Sequence, residues 1–135
     1  MDRKKLLYIA AFFTLFTFVG HSFGTLLPQE PATEAIRNVQ AAMNSTALAM
    51  PFGAPKTFAQ MYYGGNVFIS LYLLVSGLLL ILLSKAGNYN KNILVLNSAG
   101  LLGCAVISFF FFFPLPAICT AISAILGIAA ARRPE

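Results

Sequence analysis

Residues 6–27 read LLYIAAFFTLFTFVGHSFGTLL. As a helix rising about 1.5 Å per residue, this run spans about 33 Å, enough to cross a hydrocarbon core of about 30 Å. His21, the only histidine of the chain, lies near its far end. An ionisable side chain at membrane depth marks a candidate site. On a helical grid Ala10, Thr14, Thr17, His21 and Gly24 or Thr25 share one face, while Phe12, Phe16, Val19 and Phe23 share another. Small and polar residues favour helix–helix contact in a bilayer. His21 is therefore expected to point into the protein.

Three more apolar runs follow, over about 61–83, 93–113 and 115–131. Pro114-Leu115-Pro116 separates the last two, because proline has no N–H to continue a helix. The second run carries Asn66, Ser70, Leu73, Gly77 and Ser84 on one stripe, and the third carries Asn97, Gly100, Cys104 and Ser108. In the fourth, Ser123, Gly127 and Ala131 recur every four residues, a spacing that lets helix backbones approach closely. Asn97 is expected to hydrogen-bond across helices, for instance to Thr14.

Composition agrees. Of 135 residues, 59% are hydrophobic and 10% charged, against about 45–50% and about 25% in a soluble domain. The mean hydropathy is +0.79. A soluble fold of this size cannot hide so much apolar surface. The net charge of +5 does not indicate nucleic-acid binding, because Arg3, Lys4, Lys5, Lys85, Lys91, Arg132 and Arg133 stand at the ends of apolar runs. The positive-inside rule then puts both termini and the loop KAGNYNKN in the cytoplasm. A basic start before an apolar run also fits a signal peptide, but this run is too long for one and no A-x-A-like site follows.

Residues 28–60 form the one sizeable polar segment, in which Arg37 and Lys56 balance Glu30 and Glu34. A neutral loop between basic flanks belongs on the outer side. Pro31, the two glutamates and the apolar Ile36, Val39 and Met43 predict a helix over about 31–43, lying on the membrane surface or capping the bundle. The stretch Met50-Pro51-Phe52-Gly53-Ala54-Pro55 ends it. Asn44-Ser45-Thr46 matches a glycosylation sequon that matters only in a eukaryotic secretory pathway.

Depth along the spans brings polar residues to one level. His21 lies about 22 Å from the inner end of its helix and Asn66 about 7 Å below the outer end of the next. Ser108, Cys119 and Thr120 reach a similar level. Gln60, Tyr62 and Tyr63 stand at the rim with Lys56, which is placed to meet a lipid phosphate. A neutral His21 donating to Asn66 or to a backbone carbonyl would fix helix packing. A pocket at the same level, with His21, Asn66, Gln60, Tyr63, Lys56 and Thr120 as its candidate residues, would bind a lipid- or quinone-like ligand.

Catalysis finds little support. The spans hold no acid pair for general acid–base work. Ser108 with His21 has no third orienting group, and no glycine-rich phosphate loop is present. One histidine without ligand-type partners does not suggest a metal or haem. Cys104 and Cys119 form no CxxC and read as buried thiols. No cofactor is expected.

Two stretches carry a resemblance: GHSFG at 20–24 and AMPFGAPKTFAQMYYGGN at 49–66. They resemble small four-helix membrane proteins of bacteria that carry a domain of unknown function. Those proteins have a His in the first helix and a Gly–basic–Thr–aromatic segment, then Tyr-x-Gly, at the start of the second. The matching residues here are His21, Gly53, Lys56, Thr57, Phe58, Tyr63 and Gly65. Where the family often has an acid shortly before the Tyr, this chain has Gln60. The resemblance implies a bacterial inner-membrane protein and no particular activity.

The sequence thus predicts one all-α domain over 1–135 with four transmembrane helices, both termini cytoplasmic, and a short amphipathic helix in the outer loop. Its expected surroundings are the lipid bilayer and other membrane subunits or further copies of itself. Ser123, Gly127, Ala131, Gly100 and Cys104 are the expected helix-packing positions.

Overall fold

The structure, a computed structural model, describes residues 1–27, 30–86 and 90–133. Five helices run in order: α1 (Arg3–Leu26), α2 (Glu34–Ser45), α3 (Phe58–Lys85), α4 (Lys91–Phe111) and α5 (Pro114–Ala131). Strands β1 (Ala47–Leu48) and β2 (Lys56–Thr57) lie between α2 and α3 and pair antiparallel, Ala47 with Thr57 and Leu48 with Lys56. Helices α1, α3, α4 and α5 are long and apolar enough to cross a membrane, so this is an α-helical integral membrane protein. The expectations for residues 28–29 of the first loop, 87–89 of KAGNYNKN and 134–135 lie outside the described residues.

Local chemistry sets the helix ends. The Asp2 carboxylate accepts the Lys5 N–H at 2.8 Å, so α1 starts at Arg3 rather than at residue 6. Thr33 caps α2, with Ile36 N–H donating to its hydroxyl at 3.2 Å. The helix expected over 31–43 therefore begins at Glu34 and ends at Ser45: the capping hydroxyl, and not Pro31, selects the first turn. Asn90 caps α4 by accepting the Asn92 N–H at 2.9 Å.

The third span was expected to reach residue 113, but α4 stops at Phe111. The cause is Pro114, which forces the preceding residue out of the helical region. Phe113 is accordingly extended, at φ −96° and ψ 160°. Pro114 then occupies the first helical position of α5, where an N–H would have no intrahelical partner.

The chain divides into two compact units, Met1–Gly20 with Leu71–Glu135, and His21–Ser70. The core of the first joins Leu7, Ala10 and Thr14 of α1, Ser76 and Leu80 of α3, Leu94, Ser98 and Leu101 of α4, and Ser123 and Ala124 of α5, all essentially inaccessible. At Gly127 α5 lies close against α4: a Cβ there would collide with Ser98 Oγ and lie 3.6 Å from Leu94 Cδ1. Thr14, Ser76 and Ser123 of this core find partners across helices. The Thr14 and Ser123 hydroxyls are 2.6 Å apart and approach the Ala10 carbonyl at 3.0 and 2.9 Å. Ser76 donates to Asn97 Oδ1 at 2.7 Å. Asn97 was expected to pair with a residue such as Thr14; helical spacing identifies a face but not which neighbouring helix it meets.

The second unit is held together differently. Helix α2 has no buried residue. Phe58 N–H donates to Thr46 O at 3.3 Å, which ties the end of α2 to the first residue of α3. Gly53, at the turn between the strands, has φ +93°, a conformation that L side chains rarely adopt.

Candidate functional site

The residues singled out near His21 lie in the second unit, apart from Thr120. His21 Nε2 lies 3.1 Å from the backbone carbonyl of Asn66. A carbonyl only accepts, so Nε2 is the donor in this contact. The Asn66 amide turns the other way and donates to Tyr62 O, one turn back in α3, at 3.0 Å. His21 and Asn66 are thus brought together, but the contact runs from imidazole to main chain. It joins two helices and leaves Nε2 unable to accept a proton in this state.

Gln60 has a role that the rim reading missed. Its Oε1 accepts the Thr57 N–H at 3.0 Å, and its own N–H donates to Thr57 Oγ1 at 3.2 Å. This reciprocal pair is a capping box, and it starts α3. The signal was present in the sequence as Thr57-Phe58-Ala59-Gln60, a Thr followed three residues later by Gln. Lys56 is exposed in β2, and Tyr62 and Tyr63 project from the first turns of α3 with 63% and 51% of their surface accessible.

The remaining residues belong to the first unit. Thr120 is 1% exposed, and its hydroxyl donates within α5 to Pro116 O at 2.7 Å. Ser123 and Gly127 are buried at helix contacts, Ala131 is half-buried, and Cys119 is buried. On α4, Cys104 and Ser108 are half-buried and Gly100 is exposed. A Cβ on Gly100 would meet the Tyr72 hydroxyl. Tyr72, Ser76 and Ser98 were not singled out from the sequence as site or packing residues. Tyr72 followed by Ser76 one turn later, on a span otherwise rich in leucine, was the available sign.

Chemically, both groupings position helices. In the first unit each threonine or serine hydroxyl in a hydrogen bond meets a carbonyl or another side-chain oxygen. In the second, imidazole and amide donors both end on main-chain carbonyls. Among the described residues no three His, Cys, Asp or Glu side chains cluster as a metal site would require. No family model, no curated protein and no solved structure matches the chain.

Proposed function

We propose that the protein is a non-catalytic accessory subunit of a bacterial inner membrane, which packs against other membrane subunits or further copies of itself through α4. In this reading both termini and the α3–α4 loop are cytoplasmic, in line with the basic residues at 3–5, 85, 91 and 132–133. Helix α2 then lies on the outer side.

The observation that carries the proposal is the outward face of α4. Leu96, Val106 and Phe110 are 75%, 52% and 73% exposed there, and between them lie the exposed Ala99 and Gly103. A Cβ at Gly103 would meet nothing within 4 Å. A small-xxx-small pair flanked by bulky side chains is the form against which membrane helices dock. Gly127 and Ser123, the pair expected from spacing, are used inside the chain, which leaves Ala99 and Gly103 for a partner. Binding of a lipid- or quinone-like ligand by the His21 and Asn66 layer has less support, because both donors already end on carbonyls.

The test is native mass spectrometry of particles extracted in native lipid, comparing wild type with Gly103→Leu. Leucine at this open position leaves the chain's own packing intact. The expected result is a larger assembly for wild type and a released monomer for the variant. A lone wild-type monomer, or an assembly that the variant leaves intact, overturns the proposal.

A further inference from the structure

We infer that the turn at 49–55 and the apolar face of α2 form an anchor seated in the headgroup layer of a phospholipid bilayer, with Phe52 inserted. Phe52 is 94% exposed, at the tip of the hairpin between β1 and β2. Pro51 and Pro55 bracket it and Gly53 turns the chain at φ +93°, so the aromatic ring is presented by a stiffened loop. Burial of such a side chain is favourable, and nothing within the second unit covers this one.

Helix α2 repeats the pattern. Ile36, Val39 and Met43 fall on one side, with Ile36 and Val39 45% and 59% exposed. Glu34, Asn38 and Ser45 fall on the opposite side. Arg37 stands at the border, where its stem can lie along apolar surface while its head stays in water. A helix with a distinct apolar face and low net hydrophobicity belongs in the plane of a membrane interface.

The bilayer is favoured over a soluble partner by how this segment is attached. β2 runs directly into α3, and Phe58, the first residue of α3, is hydrogen-bonded to Thr46. At 28 residues, α3 is about 42 Å long and exceeds a hydrocarbon core of about 30 Å by roughly two turns. Its first turns carry the exposed Tyr62 and Tyr63, residues enriched at the headgroup level. The hairpin therefore starts within the interface. Arg37 and Lys56 balance Glu30 and Glu34, so attraction to anionic lipid adds little and seating is apolar. None of this depends on the α4 contact, and either proposal can fail alone.

The chain contains no tryptophan, so Phe52→Trp and, separately, Val39→Trp each introduce a single fluorescent reporter at an exposed position. Each full-length variant is reconstituted into phosphatidylcholine vesicles, with circular dichroism verifying its helix content. The expected result for both is blue-shifted emission, strong quenching by lipids brominated at shallow acyl positions, and weak quenching by acrylamide. Replacing part of the phosphatidylcholine by phosphatidylglycerol leaves the spectra unchanged. Water-like emission open to acrylamide at either position overturns the inference, because the segment then stands in solution. Blue-shifted emission that brominated lipid does not quench overturns it too, because protein then covers the site.

Discussion

The two units solve the same problem in opposite ways. In Met1–Gly20 with Leu71–Glu135, small and hydroxylated residues are the contact surfaces: Thr14 meets Ser123, Ser76 meets Asn97, and Gly127 lets Ser98 approach α5. In His21–Ser70 the buried side chains among the described residues are Asn66 and Ser70, and order comes from a capping box, a two-residue strand pair and one imidazole–carbonyl contact. Lipid tails are as apolar as leucine, so hydrophobicity does not drive helices together inside a bilayer. Close approach and hydrogen bonding do, and the first unit supplies both. The second is held by local main-chain contacts, which open at lower free energy than a packed core.

Substitutions can break or sharpen this contrast. The largest effect belongs to Gly127→Leu, which drives a side chain into Ser98 and Leu94. A loss of about 1–3 kcal/mol is expected from overpacking of this kind, read as an earlier midpoint in SDS-induced unfolding of the reconstituted protein. A midpoint equal to wild type would show that α4 and α5 are not locked at Gly127. Next comes Thr57→Ala, which removes one half of the capping box. The expected cost is about 1 kcal/mol, and it should appear as faster hydrogen exchange in the first turn of α3 while the global midpoint stays near wild type. If the global midpoint falls as far as for Gly127→Leu, the two units do not differ in the way described. The smallest effect is expected for Gly64→Ala. A Cβ there meets nothing within 4 Å, so stability should remain within about 0.5 kcal/mol of wild type by the same SDS titration.

Much of the helical layout was legible in the sequence. Four apolar runs appear as α1, α3, α4 and α5, and the Pro114 break falls between the last two. The helix ends were less legible, because capping depends on single side chains: Asp2 and Thr33 moved two starts, and the residue before Pro114 moved one stop. Strands of two residues carry no alternation, so β1 and β2 left no trace to read. Depth along the helices put His21 and Asn66 at one level, but not which Asn66 atom would receive the imidazole. That depends on local competition, in which the Asn66 amide is already drawn to Tyr62 O one turn back. Gln60 reads equally as a polar residue at the rim or as the partner of Thr57 three residues earlier, and only the side-chain geometry separates the two. Periodicity found the faces of Asn97 and Thr14, but not the partners Ser76 and Ser123, because four helices offer several neighbours to each face.

The turn between α4 and α5 is two residues long, Phe112 and Phe113, and from Asn92 to Ala131 the chain carries no charge. So short a connection holds the two helices next to each other even before they pack. Closing a loop costs entropy that grows with its length, and here almost none remains to be lost. The contact of Gly127 with Ser98 is therefore reached with little loss of chain freedom, whereas the pairing of Thr14 with Ser123 must close a loop of more than a hundred residues.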